Sequence, residues 1–170
     1  MFDFIIVGAG LAGVTFAHTL EKHGKSFCLL SDRSQAASLI AGGVYNPVVL
    51  KRFTPIWRAE EVSALAEQFY AEIEAKTQHS FRIPMPVCRK FASIEEQNNW
   101  FTAADHPLLS AFLSTTIRYE TNPALPTPFG LGQVQHTGRL EVKDYLSVSL
   151  REWESQGVYH NRTFDYEALE

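Results

Sequence analysis

Asp3-Phe-Ile-Ile-Val-Gly8-Ala-Gly10-Leu-Ala-Gly13-Val-Thr-Phe-Ala17 is the stretch that decides the fold. A short apolar run breaks into three spaced glycines and then into a helical pattern. Phe4 to Val7 is continuous and partly β-branched, which predicts a strand buried on both faces of a parallel sheet. From Leu11, apolar residues recur at Val14, Ala17 and Leu20, so one face of a helix points at that strand. Each glycine has a physical reason to be there. Gly8 permits the tight turn out of the strand, Gly10 lets backbone approach a pyrophosphate, and Gly13 lets the helix pack closely on the sheet. The pyrophosphate would rest on free N–H groups at the positive end of the helix dipole. The candidate phosphate-binding run is therefore Gly8, Ala9, Gly10, Leu11, Ala12 and Gly13.

Working outward, Lys22 and His23 fall in the last helical turn and Gly24 ends it. Ser26-Phe-Cys-Leu-Leu30 then makes a second apolar strand, which completes a strand, helix, strand unit of dinucleotide-binding type. The slot that usually holds a ribose-binding acid falls on Ser31, with Asp32 one residue later. A carboxylate here favours a free ribose hydroxyl and repels a 2′-phosphate. Asp32 is the first choice for that contact, and Arg33 beside it leaves a phosphorylated ligand open.

The 170 residues suffice for one ordinary domain, and 45% hydrophobic with 20% charged residues is a globular composition. A net charge of −4 implies no broad basic face, so nucleic acid is not the expected partner. The first strand opens almost at Met1 and no apolar run is long enough to cross a membrane, so the expected location is cytoplasmic. Cys28 and Cys88 lack paired spacing and are read as reduced structural thiols. The six histidines show no metal-ligand spacing, and neither a nucleophile elbow nor a Walker-type loop occurs.

After the second strand the alternation stops. Residues 33–56 are rich in small and turn-forming types, and a long amphipathic helix follows at 58–76, with Val62, Leu65, Ala66, Phe69 and Ile73 on its apolar face. One or two strands broken by Pro84 and Pro86 span 81–93. Ser93-Ile-Glu-Glu96 reads as a capping box opening a helix to Ala104. Strand character returns at 115–120. Residues 133–136 and 138–142 are predicted to pair as a hairpin through Thr137-Gly138, before a helix at 143–156 and a strand at 158–164.

This order predicts an α/β fold in which residues 1–45 and 145–168 build a discontinuous nucleotide-binding domain, interrupted by part of a second domain at 46–144. The sheet order is 3-2-1, without strands beyond strand 1. The crevice where a dinucleotide crosses the sheet would then be half built, which predicts a truncated domain. Leu169-Glu170 match a remnant left at a cloning site, which would put the cut near Ala168.

The interruption after one β-α-β unit, with Ala37-Ser38-x-x-Ala41-Gly42-Gly43-x-x-Asn46-Pro47, resembles the FAD-dependent oxidoreductases of the D-amino-acid oxidase and glycine oxidase superfamily. Phe69-Tyr70, Ser93-Ile-Glu-Glu-Gln97-x-x-Trp100 and Gly138-Arg-Leu-Glu-Val-x-Asp-Tyr145-Leu extend the likeness to nearly the whole chain. The resemblance implies a GR2-type Rossmann-like FAD-binding domain interrupted by an α+β substrate domain. It also implies FAD as cofactor, and oxidation of a C–N bond in a small amine or amino acid by hydride transfer to flavin. Gly8, Gly10 and Gly13 would meet the pyrophosphate and Asp32 the ribose, while Ser38, Ala41, Gly42 and Gly43 would lie near the flavin or pyrophosphate. Substrate-gripping residues lie in the later part of such chains, so no catalytic residue is nominated. The competing readings are an NAD(P)-dependent dehydrogenase or reductase, a nucleotide-binding module without activity, and the flavin portion of a tRNA-modifying enzyme.

Overall fold

A computed structural model describes residues 1–34 and 37–167; Leu169-Glu170 lie outside the described residues. In chain order the elements are β1 (Phe4–Val7), α1 (Leu11–Lys22), β2 (Phe27–Leu30), α2 (Ala37–Ile40), β3 (Val44–Tyr45), β4 (Val48–Val49), β5 (Thr54–Pro55) and α3 (Ala59–Thr77). They continue with β6 (Arg82–Pro84), β7 (Val87–Lys90), α4 (Ile94–Ala104), β8 (Leu113–Arg118), β9 (Leu131–Val134), β10 (Gly138–Leu140), α5 (Val142–Ser155) and β11 (Tyr159–His160). The chain divides into two compact units, Met1–Gly43 with Glu141–Glu170, and Val44–Leu140.

In the first unit β1 and β2 pair in parallel, Phe4 opposite Phe27 and Val7 opposite Leu30. β11 joins the other side of β2, also parallel, so the order β1-β2-β11 is the predicted 3-2-1. α1 buries Val14, Ala17, His18 and Leu20, and α5 buries Tyr145, Leu146, Ser149, Leu150 and Trp153. Trp153 is fully buried, edge-on to Phe27 at 5.3 Å and 4.6 Å from the His18 ring. The polar atoms of this seam find partners. His18 Nε2 lies 2.8 Å from Ser149 Oγ, Ser149 donates to the Tyr145 carbonyl at 2.8 Å, and Trp153 Nε1 donates to Glu21 at 2.9 Å. Burying such groups is tolerable only with those bonds made.

Two expectations for this unit are corrected. β1 is not buried on both faces: Ile6 is covered, but Ile5 is 56% exposed and Val7 46%. Among the described residues only β2 pairs with β1, whereas the central β2 is buried throughout. The last strand covers Tyr159–His160 rather than 158–164, because Arg162 N–H bonds back to the His160 carbonyl at 3.0 Å and turns the chain.

The second unit holds three small sheets, β3-β10-β6, β4-β5 and β7-β9-β8. Its core gathers Val48, Phe91, Trp100, Leu109, Phe112, Leu113 and Val134. Trp100 is fully buried, meets Phe53 and Phe91 edge-on at 5.5 Å each, and donates Nε1–H to the Ser114 carbonyl at 2.9 Å. The Ser93 hydroxyl caps α4 by accepting from Glu96 N–H at 3.1 Å, and the Glu96 carboxylate reaches back to Ala92 N–H at 2.6 Å.

The expected hairpin through Thr137-Gly138 does not form. β9 pairs with β7 and β8, while β10 pairs with β3 and β6. The buried Thr137 hydroxyl donates to the Met85 carbonyl at 2.8 Å and accepts from Val87 N–H at 3.0 Å, pinning the chain as it crosses between sheets. The strand expected at 115–120 lies at Leu113–Arg118. α3 keeps its predicted span but buries only Ala59 and Ile73; Leu65 stays exposed.

Glu74 near the end of α3 ties it to β6. One carboxylate oxygen accepts from Phe81 and Arg82 N–H at 2.6 and 2.8 Å, the other from Arg82 Nε and Nη2 at 2.9 and 2.7 Å. Burial pushes the Glu74 carboxyl up, but the Arg82 guanidinium and the two backbone amides outweigh it and hold it below its ordinary value near 4.5. A depressed carboxylate contributes stability that is present above its unfolded pKa and is lost as pH falls through its folded one. Glu74→Gln is expected to cost about 1.5–3 kcal/mol at pH 7 in urea denaturation. The deficit should shrink once the pH drops below the ordinary carboxylate range.

Candidate functional site

β1 delivers the chain to the glycine run with its pairing intact, since Gly8 N–H donates to the Leu30 carbonyl at 2.8 Å. Gly8 then takes φ +105, a conformation L side chains rarely adopt. Gly10 is the N-cap of α1 and supplies no side chain to cap it. A Cβ on Gly13 would lie 2.0 Å from the Gly8 carbonyl oxygen and 3.4 Å from Ile6 Cγ2. The close approach of α1 to β1 therefore requires a residue without a side chain at 13. A Cβ on Gly10 would stand 3.2 Å from Ser38 Oγ.

The first amides of α1 have no carbonyl of their own helix to bond. Leu11 N–H donates instead to Ser38 Oγ at 3.1 Å, from the single-turn helix α2. This link between Ser38 and the start of α1 was not visible in the sequence, because residues 27 apart in the chain meet only through the fold.

Ser31, Asp32 and Arg33 leave the end of β2. Ser31 N–H bonds the His160 carbonyl at 3.2 Å. One Asp32 oxygen accepts from the Ser34 hydroxyl at 2.6 Å and Ser34 N–H at 2.9 Å, the other from Thr163 at 2.9 Å. These donors, the Ser34 hydroxyl foremost, hold the exposed Asp32 carboxyl below its ordinary value. Arg33 adopts φ +57, donates Nε–H to Tyr159 Oη at 3.0 Å and lays its guanidinium over that ring at 5.6 Å.

Ala9, Gly10, Ser31, Arg33 and Ser38 line one groove, together with Leu39 and with Leu146, Ser147 and Leu150 of α5. Five sequence-predicted positions thus meet there. Asp32 is exposed beside it, while Ala41 and Gly42 are exposed where α2 ends, and Gly43 follows at φ +70. The α5 residues were missed. The helical period of 143–156 marks an apolar face, but nothing in it distinguishes a residue lining a groove from one filling a core.

The groups in and beside the groove are of types that suit an anion and a diol. Helix-start amides and cleared glycine backbone suit a phosphate. An ionised carboxylate with further lone pairs, at the end of the adjoining strand, suits ribose hydroxyls. Among the described residues, no helix is long and apolar enough to cross a membrane.

Comparisons with known proteins agree with this geometry at the level of fold. Residues 6–73 match the family model of the NAD(P)-binding Rossmann-like domain. A 45-residue stretch is 53% identical to UDP-galactopyranose mutase of Mycoplasma pneumoniae, covering 26% of this chain and 10% of that protein. Glycine oxidase from Bacillus cereus ATCC 14579 matches with a TM-score of 0.70 and 17% identity, over 97% of this chain and 49% of that one. Iminodiacetate oxidase from Chelativorans sp. BNC1 matches with a TM-score of 0.67 and 15% identity, over 94% of this chain and 47% of that one. The chain spans about half the length of the solved structures it matches. Its fold is the Rossmann-like α/β fold of these oxidases, with residues 44–140 inserted after the β1-α1-β2 unit and before α5 and β11.

The glycine geometry sets an order of sensitivity. Gly13→Ala is expected to lose about 1–3 kcal/mol of stability through overpacking against β1. Gly42→Ala, whose Cβ would meet nothing within 4 Å, should stay within about 0.5 kcal/mol of the parent. Equilibrium urea denaturation of the two variants checks this.

Proposed function

We propose that this chain carries the dinucleotide-binding portion of an FAD-dependent oxidoreductase acting on a C–N bond of a small amine or amino acid. The observation that supports the cofactor most directly is the glycine run, a strand-to-helix turn that Gly8 makes at φ +105 and whose tight closure a Cβ at Gly13 would force apart. Gly8, Ala9, Gly10, Leu11, Ala12 and Gly13 would hold the pyrophosphate on the first amides of α1. Ser31 and Asp32 would receive the adenosine ribose, with Arg33 beside them. Ser38, Ala41, Gly42 and Gly43 would border the flavin or the phosphates. Bound FAD would supply acceptance of a hydride from the C–H next to the substrate nitrogen, and the residues of this chain would orient it.

FAD is preferred over a nicotinamide cofactor because the chain leaves the β-α-β unit after β2 and returns only with α5 and β11. A nicotinamide-binding domain continues the alternation directly through another helix and a third strand. The matched NAD(P)-binding model keeps the nicotinamide reading as the second one. The names of the structural relatives, glycine oxidase and iminodiacetate oxidase, support a small amino compound as substrate.

Titration of the purified chain with FAD, ADP and NAD by calorimetry separates the readings. Saturable binding of FAD and ADP is expected, weak because no strand lies beyond β1 among the described residues, and Gly10→Val should weaken both by at least about tenfold. Binding of NAD with no response to FAD would overturn the flavin assignment.

A further inference from the structure

The long helix α3 carries more apolar surface than its own unit covers. It buries Ala59 and Ile73, whereas Val62 is 38% exposed and Leu65 58%, and Trp57, just ahead of its N-cap, is 77% exposed. Arg58, Val62, Leu65, Phe69, Glu72 and Lys76 follow one another in alternating steps of four and three residues along the N-cap and the helix. That spacing sets them in one seam, the kind along which two helices pack side by side. The middle of the seam is apolar and both of its ends are charged.

We propose that this seam is a self-association surface, on which α3 of a second copy of the chain packs antiparallel about a two-fold axis at Leu65. Charge decides the direction. Arg58 and Glu72 each lie about two helical turns from Leu65, on opposite sides of it. An antiparallel copy therefore brings Val62, Leu65 and Phe69 against their own kind and sets each Arg58 against Glu72 of the other copy, the self-complementary contact that a two-fold axis requires. A parallel copy would set Arg58 on Arg58 and Glu72 on Glu72, like charges at both ends of the seam. Within the chain, Arg58 donates Nε–H to Glu61 at 2.6 Å and Glu72 accepts from Gln68 at 2.9 Å. Bonds between exposed side chains of this kind are worth little, so they do not oppose pairing across the axis. One helix on one helix buries less than the roughly 1,200 Å² of a standard interface, which makes the association weak and reversible. It is independent of the cofactor reading.

Sedimentation equilibrium of the purified chain over a concentration series tests this, with far-UV circular dichroism of each variant to follow the fold. The parent is expected to show a monomer–dimer equilibrium. Leu65→Glu, which places two carboxylates on the axis, should weaken it by at least about tenfold, and Arg58→Glu by severalfold. Arg58→Glu combined with Glu72→Arg exchanges the charges and should restore association toward the parent. A parent that stays monomeric up to about 1 mM would overturn the proposal, and so would a dimer that Leu65→Glu leaves unchanged. Should Leu65→Glu lose its helical spectrum, the charge exchange decides: failure of the double variant to recover what Arg58→Glu loses would overturn the antiparallel seam.

Discussion

The carbonyl oxygen of Gly8 lies 2.0 Å from where a side chain on Gly13 would begin, and this contact fixes how α1 leaves β1. Because the helix can press against the strand, Ile6 is covered and Val14 and Ala17 are fully buried. The same contact sets the first amides of α1 at the end of the sheet beside Ser31. The placement of the first α1 amides and the core packing of the first unit thus share one cause, a pair of residues that must be glycine for different reasons. Gly8 is required by its backbone angle, Gly13 by lack of room.

The return of the chain completes what that contact begins. α5 lays Trp153 against Phe27 and His18, and its polar partners Ser149 and Glu21 satisfy the buried nitrogen atoms of both rings. The helix packing then places Leu146, Ser147 and Leu150 along the groove that Ala9 and Gly10 also line. β11 brings Tyr159 under Arg33 and Thr163 onto Asp32, so residues from the end of the described chain shape the region after β2. The insertion between the two halves keeps its own core around Trp100, which explains how the nucleotide-binding unit tolerates so long an interruption.

Much of this is readable from the sequence where a local pattern has one physical solution. The apolar run Phe4 to Val7, the period of Val14, Ala17 and Leu20, and the Ser93 to Glu96 cap each specify an element by themselves. The rest depends on partners the sequence does not name. Burial of β1 depends on whether a strand lies beyond it, and Ile5 and Val7 are exposed because none does among the described residues. Thr137-Gly138 has the composition of a hairpin turn, yet the Thr137 hydroxyl finds Met85 and Val87 and sends β9 and β10 to different sheets. The cap from Ser38 to Leu11 and the α5 wall of the groove are long-range contacts of the same kind. The family resemblance carried by Ala37 to Pro47 pointed to this loop, but not to the bond Ser38 makes.

The central claim is that the glycine run and the end of β2 form one dinucleotide cradle. Following backbone amide resonances by ¹H–¹⁵N NMR while titrating FAD into the isotopically labelled chain tests it most directly. The account predicts saturable shifts concentrated at Gly8, Gly10 to Gly13 and Ser31 to Arg33, with the amides around Trp100 unmoved. Shifts confined to Val44–Leu140, or none at saturating FAD, would contradict it.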